Sequence, residues 1–387
     1  MTHEPKTSYS FIRNLLFLYI VIYSMKQQQT LALFLTISAF LIITGLIFIY
    51  SSSSVFALER LGSAQYFVKK QLIGILIGLL GFTFFRLLPL PSLRKLSPLF
   101  FIGSLVVTGL TLVPHFGVTI HGSGRWISLL GITFQPSELL KLTFIPYLAY
   151  FLEKKQFKLS SLFHGYIPFM CIIALTATIL LAQPDFGQAV TLSITGFLMF
   201  FIFHTHIRHI AYTLIPLIPT IIFLIFLKPY RFQRILTFLD PWKDPQGSGF
   251  QIIQSLIAIG SGGLTGVGIA QSRQKFFYLP MQHTDFIFSI IAEETGFIGA
   301  SAVICMYLWF LYLGFQLALN LKSTFGILTV LGFITLISLQ SLINIFVTTG
   351  LMPTKGIGLP FISYGNSALI VNICMLGIIT TCVLEDE

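Results

Sequence analysis

The stretch FGILTVLGFITLISLQSLINIFVT, residues 325–348, runs for 24 residues without an Asp, Glu, Lys or Arg. Coiled as a helix it reaches about 36 Å, enough to cross a hydrocarbon core of roughly 30 Å. A helix is the economical form there, because it satisfies its own backbone groups where water is absent. The pattern repeats on both sides. Apolar runs at about 31–50, 70–88, 97–113, 138–152, 166–182, 187–203, 208–227, 286–316 and 365–384 join this one to predict ten spanning helices. The even spacing of outer-membrane strands is absent. The expected fold class is an all-α polytopic membrane protein.

Composition agrees. Of 387 residues, 55% are hydrophobic and 40 are Phe, while only 9% are charged, against about 25% in a soluble domain. Such a chain cannot clothe a water-exposed enzyme, and it is too apolar to be disordered. The net charge of +10 is dispersed in pairs such as Arg94-Lys95 and Lys154-Lys155 between apolar runs. That suits anionic lipid headgroups; a nucleic-acid binder gathers its cations on one polar face. Cys171, Cys305, Cys374 and Cys382 lie inside apolar runs without metal-site spacing, and read as small core residues.

Residues 1–30 form an N-terminal cytoplasmic or interfacial tail, and 31–384 the transmembrane domain. Within the tail, FIRNLLFLYIVIYS at 11–24 is apolar but too short to span comfortably, so an interfacial helix is expected. No small-residue cleavage motif follows it, which argues against a signal peptide. Ten spans place both termini on one side. With the long polar loop at about 228–284 set aside, the cations put the termini in the cytoplasm and that loop outside. A loop of that length implies function. Phe250 to Ile259 within it reads as a short amphipathic helix. The glycines at 247, 249, 260, 262, 263, 266 and 268 read as flexible punctuation, because no G-x-x-x-x-G-K-[ST] follows a strand.

Only 13 residues are acidic, and most lie in tails or loops. Glu138, Asp185, Asp285, Glu293 and Glu294 lie within or at the edges of spans. A charge at that depth costs a few kcal/mol, so it has a partner or faces a cavity. Glu138 and Lys141, three apart, share one helix face as a buried pair or as scaffold. Upstream, Gly122-Ser123-Gly124-Arg125-Trp126 forms a glycine-flanked outer loop, where an Arg beside an aromatic suits a phosphate or an interfacial anchor. Asp185, after Gln183-Pro184, caps the next helix or serves the site. Asp285, where the long loop enters a span, is either a helix cap or a carboxylate at the mouth of a membrane cavity. Glu293 and Glu294 read as cavity or packing partners. His204, His206 and His209 beside Arg208 read as a cytoplasmic loop.

Taken together, the motifs resemble the SEDS family (shape, elongation, division and sporulation proteins). They are GRWI at 124–127 with QPSELLK at 135–141, QPDFG at 183–187, QSLIAIGSGG at 254–263, HTDFIF at 283–288 running to Glu293-Glu294, and PFISYGNS at 360–367. They occur in family order and cover about 31–384. SRQK at 272–275, YLP at 278–280 and PTKG at 353–356 resemble the division branch more than the elongation branch. There are two departures: Asn366 replaces the usual second glycine of the last block, and Gly358 stands where proline is common.

The resemblance implies an inverting glycosyltransferase of the bacterial inner membrane that polymerises lipid II, an undecaprenyl-pyrophosphate-linked disaccharide-pentapeptide, into β-1,4 glycan at the division septum. It implies Asp285 as the base, directly or through a divalent cation, Mg or Mn. Arg125, Lys275 and Lys355 would stabilise the leaving pyrophosphate, with Ser363 also binding substrate. Glu138, Lys141, Asp185, Glu293 and Glu294 would structure the cavity. The implied partners are a class B penicillin-binding protein transpeptidase and other divisome proteins, with no nucleic acid. An elongation enzyme, a flippase of the same lipid and a non-catalytic scaffold remain as alternatives. A flippase built from inverted repeats would show paired broken helices, and no such symmetry is visible in the sequence.

Overall fold

The computed structural model describes residues 6–113, 117–120, 123–129, 132–159, 161–203, 229–275, 280 and 282–385, and 212, 213, 215, 219 and 226 besides. Its long helices are α1 (Lys6–Leu61), α2 (Tyr66–Leu87), α3 (Leu90–Leu110), α4 (Pro136–Lys155), α5 (Ile167–Ala182) and α6 (Phe186–Phe203). After the shorter α7 (Pro229–Leu239) and α8 (Phe250–Ser261) come α9 (Ile287–Leu319), α10 (Thr324–Thr348) and α11 (Asn366–Leu384). Eight are long and apolar enough to cross a membrane, α5 being extended at its start by a π turn from Leu162. α4 has the length too, although Glu138, Lys141 and Glu153 make it less apolar. The tenth expected span, about 208–227, and His204, His206, Arg208 and His209 lie outside the described residues or nearly so.

α4, α10 and α11 form the middle of the bundle, and α11 is buried along almost its whole length. Small residues let α2 lie against it. A Cβ on Gly377 would stand 2.6 Å from the backbone oxygen of Phe82, and one on Gly81 would stand 2.4 Å from Cys374 Sγ. Without a hydrophobic drive between helices in lipid, such close backbone approach is what holds them together. α2 and α3 turn Leu76, Leu80, Leu87 and Leu99 outward. Cys374 and Cys382 are buried as expected, whereas Cys171 and Cys305 sit on exposed helix faces. A lipid-facing surface sets no premium on polar residues, so an apolar run alone does not mark the core.

Several local expectations change. Residues 11–24 do not form a separate helix; they run without a break into the first span as part of α1. The segment around Arg125 is an antiparallel sheet of Val118–Ile120 (β1), Ser123–Leu129 (β2) and Ile132–Phe134 (β3), with Val118 opposite Trp126 and Ile127 opposite Phe134. Ile, Val and Thr at these positions favour the pleated form. The amphipathic helix expected from Phe250 is α8, and α7 is a second helix in the same long loop.

The loop glycines are not loose punctuation. α9 breaks at Gly296, at φ 65° and ψ −165°, a conformation open to glycine alone. The 262–268 segment fills the break: Val267 N donates to Glu293 O (3.0 Å), Gly268 N to Glu294 O (3.0 Å) and Phe297 N to Gly263 O (2.9 Å). A Cβ at Gly266, where φ is +81°, would lie 2.2 Å from Glu294 O. The glycines thus form a tight backbone seam.

Candidate active site

The site lies at the end of the bundle where α9 and α11 begin and α10 finishes. Its base is the 282–286 turn, and each residue from 282 to 285 has its own anchor. Gln282 Nε2 donates to Ser52 O of α1 (2.8 Å) and to Lys275 O (3.0 Å). The His283 ring packs against Phe67 at 4.4 Å between centroids, while its carbonyl accepts from Tyr364 N (2.9 Å). Thr284 O accepts from Ser363 Oγ (2.6 Å), and Asp285 O from Asn344 Nδ2 (2.8 Å). The same amide donates to Ile357 O (2.7 Å), so one side chain clips the turn to the 349–365 loop. The backbone that carries Asp285 is thus held from several sides.

That carboxylate is half-buried, with Gly356 beside it; a Cβ there would stand 3.5 Å from Oδ2. Burial pushes the Asp285 carboxyl up to about 6, and the nearby Arg234 and then Arg125 guanidiniums pull the other way. Arg125, carried by β2, meets Asp185 at 3.3 Å and keeps its buried Nε without a partner. Arg234 projects from α7 and donates to Thr354 O (3.1 Å). Lys355 lies over the Phe186 ring, 5.5 Å from its centroid, its ammonium held below the usual lysine range by burial and by Arg234. His283 is held down to about 4 by burial, so it is neutral at ordinary pH in its aromatic nest.

Beneath these groups runs a polar chain. Asp185 caps α6 through Gln188 N (3.2 Å) while pairing with Arg125. Burial raises its carboxyl, and Arg125 partly offsets the rise. Gln188 Nε2 donates to Glu138 Oε1 (2.6 Å), and Glu138 pairs with Lys141 at 2.5 Å, both buried. Gln135 ties the chain to α11: its N–H donates to Ser367 Oγ (3.1 Å) and its Nε2 to Asp185 Oδ2 (3.3 Å).

Two of the expected substrate groups are placed otherwise. Lys275 is buried, donates to Ala270 O and pairs with Glu294 at 3.7 Å, so its charge is neutralised inside the protein. Ser363 uses its hydroxyl twice, donating to Thr284 O and accepting from Leu359 N (2.7 Å), which makes it a brace for the turn. Glu293 and Glu294 clamp the loop that carries Lys275. Glu293 accepts from Ser272 Oγ and from Arg273 N (2.9 Å), and Glu294 from Ser51 Oγ of α1 (2.6 Å). Sequence reasoning passed over Arg234, whose only signal was its place among the cations of the long loop, and Asn344, which shares its uncharged span with a second amide, Gln340.

Comparison with known proteins covers nearly the whole chain. The family model of FtsW, RodA and SpoVE, described as cell cycle protein, matches residues 31–386. The chain is 40% identical over 335 residues to a probable peptidoglycan glycosyltransferase FtsW of Geobacter sp. (strain M18), covering 87% of this chain and 91% of the relative. It is 39% identical over 354 residues to stage V sporulation protein E of Bacillus subtilis (strain 168), covering 92% and 97%. Among solved structures, a chain of a peptidoglycan synthase complex that coordinates polymerization and crosslinking matches with a TM-score of 0.75 at 31% identity, over 90% of this chain and 96% of that one. The rod shape determining protein RodA of Thermus thermophilus matches with a TM-score of 0.67 at 26% identity, over 92% and 96%.

Proposed function

The chain belongs to the FtsW/RodA/SpoVE family of polytopic membrane proteins, and from that premise we propose how its outer site works. The protein is a peptidoglycan glycosyltransferase. Its substrate is lipid II, and its product a β-1,4 glycan strand. The acceptor sugar hydroxyl attacks the anomeric carbon of a second lipid-linked sugar. The new C–O bond forms as the bond to the pyrophosphate breaks, inverting an α linkage to β. The hydroxyl proton passes to Asp285, and the bonding electrons leave on undecaprenyl pyrophosphate.

The observation that carries this reading is the half-buried Asp285 carboxyl at the braced turn, within electrostatic reach of Arg234 and Arg125, with Lys355 in turn within reach of Arg234. A carboxyl near 6 is largely ionised at pH 7 yet basic enough to accept a proton from a hydroxyl as it reacts. Cations within reach of the carboxyl supply charge where the leaving group develops its own. Arg125 offers a guanidinium fork, suited to phosphate oxygens, with Nε still unpartnered. Among the described residues no three His, Cys, Asp or Glu side chains gather, and Asp285 has cations as its neighbours. That donor set does not fit a resident divalent ion held by protein ligands, so the steps above use protein groups alone.

The setting is the bacterial inner membrane at the division septum, with both termini in the cytoplasm and the Asp285 site outside. A class B penicillin-binding protein is the partner that cross-links the strands, supported by the likeness to a chain of a peptidoglycan synthase complex. The test is polymerisation of fluorescent lipid II in detergent with that partner. Asp285→Asn, which keeps shape and removes the base, is expected to lower the rate by about 10²–10⁴-fold. Polymer formed by the variant at the wild-type rate would refute the role of Asp285. Lipid movement across vesicles by a wild-type protein that makes no glycan would turn the reading to a transporter.

A further inference from the structure

At the opposite end of the bundle, where α3 and α10 start and α4 finishes, lies a second cavity of about 360 Å³. Leu90 and Phe325 give it apolar walls, and Arg94, Lys95, Tyr150 and Ser323 line the rest. Three of these polar side chains are committed to donating. Arg94 engages Glu153 at 2.8 Å through Nε, and its guanidinium carries two further amino groups. Tyr150 Oη already accepts from Lys154 Nζ at 3.0 Å, so its own proton is the one it has to offer. Lys95 is exposed and brings three N–H groups.

Among the described residues, the nearby acids Glu153 and Glu385 are already paired. Glu153 is held by Arg94, and Glu385 accepts from Leu90 N at 2.6 Å with Arg86 at 3.9 Å. A cavity that offers donors and net positive charge selects an anion. Its rim selects the source. Leu87 at the end of α2 and Leu99 on α3, which flank Leu90 and Arg94 in sequence, are 75% and 63% exposed, an apolar surface of the kind that lipid tails cover. Its volume holds a headgroup rather than a whole lipid, and basic pockets between spanning helices bind anionic headgroups.

We propose that this cavity binds the phosphate of an anionic phospholipid, with Lys95 and Arg94 supplying charge and Tyr150 a hydrogen bond. The site is separate from the polymerising centre and stands whether or not Asp285 is the base. The full chain, purified from nanodiscs of phosphatidylcholine doped with phosphatidylglycerol, is examined by native mass spectrometry. Wild type is expected to retain one phosphatidylglycerol in preference to phosphatidylcholine. Lys95→Gln lowers that occupancy about fivefold, and Tyr150→Phe lowers it on the order of tenfold, both with unchanged polymerisation in detergent. Arg94 is left intact because its loss would strand Glu153. Equal retention by wild type and both variants, or no preference for the anionic lipid, overturns the proposal. So does thermal stabilisation by inorganic phosphate equal to that by phosphatidylglycerol, since the ligand would then be a soluble anion.

Discussion

Replacing Arg234 by Gln is expected to move the acid limb of polymerisation upward in pH. Burial raises the Asp285 carboxyl to about 6, and Arg234 is the larger of the two charges holding it from rising further. The sign follows from the role of a base. The ionised form is active, so the rate climbs with pH, is half-maximal near 6, and levels off above. If loss of the guanidinium carries the half-point to about 7, a modest shift for a neighbouring charge, the ionised fraction at pH 6 falls from about a half to about a tenth. The variant is then about fivefold slower than wild type at pH 6, about twofold slower at pH 7 and nearly equal at pH 8, apart from any pH-independent loss at the leaving group. Arg234→Lys restores the wild-type limb, because charge and not shape sets it. The measurement is the initial rate of glycan formation across pH 5–8 with partner present and substrate below saturation. A limb that stays in place, with a loss equal at every pH, would refute the electrostatic link between Arg234 and Asp285.

Other expectations follow from the same geometry. Lys275→Met leaves the Glu294 carboxylate buried without its cation and is expected to cost roughly 3–5 kcal/mol of stability, read as a lower unfolding temperature. Adding Glu294→Gln should recover most of that, and a Lys275→Met protein of normal stability with weakened substrate binding would return Lys275 to the substrate site. Asn344→Ala frees the clip between Asp285 O and Ile357 O, and kcat should fall on the order of 10²-fold with KM little changed; a rise in KM alone would contradict a positioning role. Gly266→Ala drives a methyl into Glu294 O at a positive φ, and strain of about 1–3 kcal/mol plus the overlap should cut the yield of monodisperse protein. Normal yield would show that the seam at the α9 break is looser than drawn.

The membrane fold was readable from residues such as 325–348, because lipid imposes a simple rule: a long uncharged run must be helical and must span. The site was readable in part, for a related reason. Acids are so scarce that Asp285, Asp185 and Glu138 stand out, and all three lie at the end of the bundle where α4, α6 and α9 begin. Cations are not scarce in the same way. Arg125, Arg234, Lys275 and Lys355 look alike as loop charges, and only packing separates them. Glu294 neutralises Lys275, while Arg234 comes beside Asp285 from a helix some 50 positions earlier in the chain. Ser363 and the glycines of 262–268 fall in the same class: their residue types suggest a ligand or a flexible loop, and their partners turn out to be the protein's own backbone.

The division between the two levels is physical. Hydropathy and charge count act residue by residue against the solvent, so the number of apolar spans and the rarity of buried acids are written in the chain itself. Which carboxylate stays unpaired, which lysine is silenced and how its turn is braced depend on contacts between segments far apart in sequence, as when Asn344 reaches both Asp285 and Ile357. Those contacts exist only once the helices have packed, and it is the packing that sets the Asp285 turn in place.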